Sequence, residues 1–258
     1  MEAKYEFEKK YRKQILQCSR CGYCQAVCPV YNATQRPAFN ARGKMLLLKE
    51  IMDGKIDITD DMIDTMFQCT TCAACHENCP SGVNVPEIIK QARKDMVDVG
   101  SCHPAFTGMN EVLQKHTNIY AEDEPEDFDK ERNQQAEYVY FIGCVGQYRE
   151  DEATEATLEL LDRLDIDYTL VDEVCCTGVL EDVGHEMNAN HAKTNIDIIL
   201  ATGAKTVITG CPYCYRTFKN KDQFAPLRDK GINIVHISQF LKDFDLGVTT
   251  DLKVTYHD

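Results

Sequence analysis

Two hydrophobic periods run along this chain. Up to residue 100, apolar side chains recur every three or four positions, as on a helix with one buried face. Residues 4–17 set Tyr5, Phe7, Tyr11, Ile15 and Leu16 among charges. Residues 41–53 place Met45, Leu48, Ile51 and Met52 together, with Gly54 as a stop. Thr59 reads as an N-cap with Asp60 and Asp61 in the first turn, ahead of Met62, Ile63, Met66 and Phe67. Pro86 opens a further helix with Ile88, Ile89, Ala92 and Met96 on its buried face, ending at Gly100. A short helix is expected over Glu111–His116. From residue 137 the pattern changes. Buried strands are predicted at Tyr138–Ile142, Tyr168–Val171, Lys205–Thr209, Ile232–His236 and Leu252–His257, with helices at Ala153–Leu164 and His185–Leu200. Alternation of this kind implies a parallel sheet covered on both faces, with ligands beyond the carboxyl ends of its strands.

The expected fold is therefore α+β: a helical domain over 1–100, a connecting segment over 101–136, and an α/β domain with a mostly parallel sheet over 137–258. Residues 121–135 hold seven acids and one proline and read as an acidic linker.

Charge sharpens that division. Residues 1–100 carry 14 basic and 13 acidic side chains, whereas residues 101–258 carry 14 and 29, which gives the chain its net charge of −14. Such acidity argues against nucleic acid as a partner. No apolar run is long enough to span a bilayer. Fourteen cysteines without a secretory signal point to a reducing, cytoplasmic setting in which thiolates hold metal.

The cysteines fall into two constellations. Cys18, Cys21, Cys24 and Cys28, followed by Pro29, repeat as Cys69, Cys72, Cys75 and Cys79, followed by Pro80, at an offset of 51 residues. Both runs read C-x2-C-x2-C-x3-C-P, the ferredoxin spacing for [4Fe-4S] clusters whose fourth ligand crosses to the other cluster. A cubane needs four thiolates and the tight loop caps three irons. Cys18, Cys21, Cys24 and Cys79 are expected to hold one cubane, and Cys69, Cys72, Cys75 and Cys28 the other. Zinc could use the C-x2-C pairs, but would need neither four cysteines per run nor the repeat.

In the second half, Cys144 follows the first strand, Cys175 and Cys176 the second, and Cys211 and Cys214 the third. Five thiols at three strand ends point to a metal site of some kind; zinc would leave one of the adjacent pair idle. The order Cys144, thirty residues, Cys175-Cys176, thirty-four residues, Cys211-x2-Cys214 resembles the cysteine-rich "CCG" domain of heterodisulfide reductase and related iron-sulfur oxidoreductases. Together with the paired ferredoxin runs, residues 10–258 resemble the fused reductase subunit of membrane-linked heterodisulfide reductases. Similar layouts occur in the iron-sulfur subunits of glycolate, lactate and glycerol-3-phosphate oxidation.

That resemblance implies a noncubane [4Fe-4S] cluster on Cys144, Cys175, Cys176, Cys211 and Cys214, which would be the catalytic site. It implies reduction of a disulfide, in the family the coenzyme M–coenzyme B heterodisulfide of methanogenesis. It also implies an electron-donating partner: a flavoprotein, a ferredoxin-like protein or a membrane cytochrome that would hold the chain at the inner face of the membrane. This chain has Cys-Cys-Thr177-Gly178 where the family motif has Cys-Cys-Gly. The family carries a second such motif. The chain reaches Val254-Thr-Tyr-His-Asp258 where that motif would open, so the second domain is expected as a truncated first half plus one strand, with a second noncubane cluster if the native chain continues. Cys102 and His76 stand outside both constellations and are expected to be an inert thiol and a solvent-facing imidazole.

Overall fold

The computed structural model describes residues 3–247 and 251–253. It divides into two compact units, Met1–Gln114 with Thr177–Asn188, and Lys115–Cys176 with Ala189–Asp258. The first unit is helical: α1 (Glu6–Gln17), α2 (Tyr23–Ala26), α3 (Pro29–Thr34), α4 (Ala41–Met52), α5 (Asp60–Phe67), α6 (Ala74–Glu77), α7 (Val85–Asp98) and the start of α8 (Met109–His116). Its core is the set of stripes read from the sequence. Phe7, Ile15, Met45, Leu48, Met66, Ile88, Ile89, Ala92 and Met96 are all buried, and Cys18, Cys24, Cys69, Cys75 and Cys79 pack against them. Leu16 departs from its stripe and is half exposed. Thr59 holds the N-cap position of α5, where its carbonyl accepts from Met62 and Ile63, but its hydroxyl makes no capping bond.

The second unit contains a four-stranded, all-parallel sheet. Its strands are β1 (Tyr138–Phe141), β2 (Tyr168–Thr169), β3 (Thr206–Thr209) and β4 (Asn233–His236), in the order β2-β1-β3-β4. Side chains alternate across β1. Tyr140 joins Leu158, Leu161, Leu170 and Ile208 on one face. On the other face Phe141 meets Phe218 edge-on at 4.7 Å, and Phe218 meets Phe224 at 4.4 Å. The helices that supply these contacts are α10 (Asp151–Arg163), on the Tyr140 face, and α13 (Pro212–Asn220), on the other. A short α9 (Gly143–Tyr148) opens directly from β1. The acidic stretch 121–135 lies along this unit: Phe128 is buried in the Tyr140 face and Arg132 bridges Leu170 in parallel.

Two expectations are corrected by the structure. The helix expected to begin at His185 begins at Ala189, as α12 (Ala189–Ala201). The residues before it form α11 (Val179–Asp182) and a turn that belong to the first unit, where the Arg93 guanidinium donates to the Asp182 carbonyl and Lys90 pairs with the Asp182 carboxylate at 3.1 Å. Gly184, at φ +86°, passes so close that a Cβ would lie 2.6 Å from the Arg93 carbonyl. The second correction is β2, which ends at Thr169 because Leu170 pairs only through its bridge to Arg132. The expected fifth strand over Leu252–His257 falls mostly outside the described residues, and Leu252 and Lys253 are not in a strand. The chain closes with α14 (Ala225–Asp229), β4 and α15 (Ile237–Leu241).

Candidate metal centres

The two ferredoxin runs fold into the same loop twice. Arg20 and Thr71 take left-handed backbone, at φ 59° and 54°, and so do Gly22 and Ala73, at 91° and 67°. Each loop then enters a one-turn helix, α2 or α6. Its last cysteine is tied back by a backbone hydrogen bond, Cys28 N–H to the Gln25 carbonyl and Cys79 N–H to the His76 carbonyl. The prolines begin the turn away: Cys28 is the N-cap of α3 and Pro29 its first residue.

The cysteines gather into two cavities with the runs interchanged. One cavity is lined by Cys18, Cys21 and Cys24 together with Cys79. The other is lined by Cys69, Cys72 and Cys75 together with Cys28. Backbone amides reach the sulfurs, as a thiolate cage requires. Hydrogen bonds from the amides around Tyr23 hold the Cys21 thiol below its ordinary value, and Val83 N–H donates to Cys79 Sγ at 3.4 Å. In the other cavity burial, reinforced by Cys69 and Cys72, pushes Cys75 up to about 12. The same cavity has Lys44 in its wall, 1% exposed, with its ammonium donating to the Phe39 carbonyl. Burial lowers the Lys44 value against the pull of Cys69, Cys28 and Cys75. Arg93 braces the second loop from behind, donating to the carbonyls of Met66 at 2.8 Å and Phe67 at 3.1 Å, and to that of Cys69. Four thiols in each cavity, with amides directed at the sulfurs of the first and buried cationic support at the second, suit a [4Fe-4S] cubane.

All five cysteines of the second constellation meet at the carboxyl end of the sheet. Cys176 Sγ lies 3.4 Å from Cys214 Sγ. Cys175 bonds to Cys144 and Cys176, which raises its thiol value, and Cys214 bonds to Cys176 and Cys211, which raises that one. Cys211 goes the other way from Cys175 and Cys214: hydrogen bonds from Cys214 and from the first amides of α13 lower it to about 7. Gly143 makes the gathering possible. It sits at φ +83°, and a Cβ there would lie 3.2 Å from both Cys211 Cβ and Cys214 Sγ. Glu173 fixes that turn, accepting from the Ile142 amide at 2.9 Å and from the Gly143 amide. Its carboxyl is raised to about 8, chiefly by burial. Among the described residues no three His, Cys, Asp or Glu side chains converge on a point for a single metal ion. These sulfurs form a chain of contacts from Cys144 through Cys175, Cys176 and Cys214 to Cys211.

Comparison with known proteins follows the same division. Residues 14–83 match the 4Fe-4S dicluster domain family and residues 138–219 match the cysteine-rich domain family. A Methanosarcina acetivorans protein, part of dihydromethanophenazine:CoB–CoM heterodisulfide reductase, is 29% identical over 93% of this chain and 67% of its own length. Its counterpart in Methanosarcina mazei is 26% identical over the same shares. The chain has the two-domain layout of the heterodisulfide reductase and glycolate oxidase type of iron-sulfur subunit. The glycolate oxidase iron-sulfur subunit of Escherichia coli, 23% identical over 93% of this chain and 69% of its own length, shows how widely the layout is shared. Across this family, of the heterodisulfide reductase and glycolate oxidase type, the chain is an electron-transfer subunit of an oxidoreductase that uses iron-sulfur clusters.

No described helix is long and apolar enough to cross a membrane. Cys102 does approach a histidine, with His185 Nε2 at 3.7 Å. That nitrogen also lies 3.1 Å from the Phe106 carbonyl, which can only accept, so it carries its proton and cannot serve Cys102 as a base. His76 is half-buried, its Nδ1 anchored at 3.2 Å to the Val83 carbonyl. Sequence reasoning missed Lys44, Arg93, Gly143 and Glu173. Lys44 and Arg93 carried a signal: each is a charge on the buried face of its helix, Lys44 between Ala41 and Leu48 and Arg93 between Ile89 and Met96.

Proposed function

We propose that this chain passes electrons from a partner subunit to a disulfide, through two cubanes and one noncubane [4Fe-4S] cluster. The ligand sets are Cys18, Cys21, Cys24 and Cys79; Cys69, Cys72, Cys75 and Cys28; and Cys144, Cys175, Cys176, Cys211 and Cys214. The observation that carries this reading is the contact chain of five sulfurs around Gly143, more thiols than a relay on two cubanes would require. When bound, the clusters supply one-electron steps and, at the five-cysteine site, an open iron that a substrate sulfur could meet. The chain's own residues hold the pieces in place. Arg93 fixes the second loop, Glu173 fixes the turn before Cys144, and Lys44 offsets negative charge beside Cys28 and Cys75. The partner is an electron-donating flavoprotein, ferredoxin-like protein or membrane cytochrome, which would keep the chain in the cytoplasm or at the inner face of a membrane. The substrate is an organic disulfide, and resemblance points to the CoM–CoB heterodisulfide.

Iron and sulfide analysis with Mössbauer spectroscopy on the anaerobically purified chain tests this. About twelve irons are expected, as three four-iron clusters. Eight irons, or zinc at the five-cysteine site, would overturn the reductase reading. An ordinary cubane held there by four cysteines would favour an electron relay of the glycolate, lactate or glycerol-3-phosphate dehydrogenase kind.

A further inference from the structure

A cavity of about 450 Å³ opens beside Cys211 in the second unit, at the carboxyl ends of β1 and β3. Tyr140, Ile142, Val145, Ala153, Pro212 and Tyr213 give it an apolar wall, and Cys211 is part of its lining. It occupies the switch point of the sheet. The order β2-β1-β3-β4 sends the chain outward from β1 in both directions, and open parallel sheets bind small molecules at that place.

Its charge is one-sided. Glu150 is the only ionisable side chain besides cysteine and tyrosine in the lining. Asp151 and Glu152 follow it in the first turn of α10, so that helix start carries three carboxylates. The other helix start at the cavity, that of α13, directs the amides of Tyr213 and Cys214 to the sulfur of Cys211 and has none of these to offer an anion. His236, behind Gly210, has both ring nitrogens engaged: Nε2 lies 3.0 Å from the Gly210 carbonyl and Nδ1 accepts from the Ser238 amide. Arg216 stacks on the Tyr213 ring at 4.4 Å and is not part of the lining.

We propose that this cavity binds an uncharged aliphatic thiol or disulfide and rejects sulfonate, phosphate and carboxylate thiols. The inference rests on the disulfide-reducing reading above, and narrows its substrate class away from the anionic heterodisulfide that resemblance suggests.

The test is calorimetric titration of the full, anaerobically purified chain with propane-1-thiol and with 3-mercaptopropane-1-sulfonate, which differ only in the sulfonate. Wild type is expected to bind the neutral thiol at least tenfold more tightly. Glu150→Lys should raise sulfonate affinity several-fold and leave the neutral thiol within twofold; the Glu150 side chain makes no cap bond to α10. Ala153→Trp, at an exposed position on the wall, should abolish neutral-thiol binding with iron content unchanged. Equal or tighter sulfonate binding by wild type, or unimpaired binding by Ala153→Trp, overturns the proposal. Iron content and the electron paramagnetic resonance spectrum, measured on the same samples, separate the two readings. Selective binding without iron at the five cysteines leaves the cavity standing and removes the cluster. A full iron complement without selectivity does the reverse.

Discussion

Ala73 holds a left-handed backbone at φ 67° at the position where the first loop has Gly22, and a Cβ there is strained by about 1 kcal/mol. Ala73→Gly should therefore stabilise the second loop by up to about 1 kcal/mol, seen as slower loss of visible cluster absorbance in denaturant. Gly22→Ala should cost the first loop a similar amount by the same assay. Asp95 offers a pH handle. Its carboxylate accepts from the Phe7 amide at 2.7 Å and from Gln91, and burial raises its value above the ordinary carboxylate range. The folded chain thus holds this proton more tightly than the unfolded one. The linked stability is present below the unfolded value and lost as pH rises through the folded value. Denaturation measured across that acidic range should show a downward slope with rising pH that Asp95→Asn reduces. Asp95→Ala should cost about 1–3 kcal/mol, because the Phe7 amide loses its partner in a buried setting. None of this was legible in the sequence. Asp95 reads there as one more charge on an amphipathic helix, and its partner is 88 positions away.

The elements themselves were largely legible. Stripes at helical spacing located α1, α4, α5 and α7, because each of those helices must bury one face. Apolar runs located the four strands, whose sheet is covered on both sides. What failed was the helix start at His185. Residues 185–188 read as the first turn of that helix, but they leave the left-handed Gly184, at φ 86°, as a non-helical run behind α11. Asn188 N–H closes the loop onto Thr177 Oγ1 at 3.1 Å. Such a boundary is set by tertiary contact with α7, which no local pattern carries. The crossed cysteine sets can be tested at this scale. Cys28→Ser should perturb the cluster signal of the second run and spare that of the first, and Cys79→Ser should do the converse, in paramagnetic resonance spectra of the reduced chain. Loss of the same-run signal in either variant would refute the interchange seen in the two cavities. Gly184→Ala should detach α11 from Arg93, since its Cβ meets backbone that cannot yield. Greater amide hydrogen exchange over 177–188 is the expected readout.

At the scale of the whole molecule, the backbone passes between the two units three times: after Gln114, after Cys176 and after Asn188. A protease that nicks the acidic stretch 121–135 cuts inside the second unit, so each fragment keeps residues that belong to the other fragment's unit. The carboxyl-terminal fragment still has twelve of its residues, Thr177–Asn188, packed as part of the first unit. The two fragments should therefore co-elute in gel filtration. Cys175 and Cys176 stand immediately before that inserted strip. Anything assembled on them is spliced into its neighbour rather than hung from it, so neither half can be expressed by cutting the gene at one place.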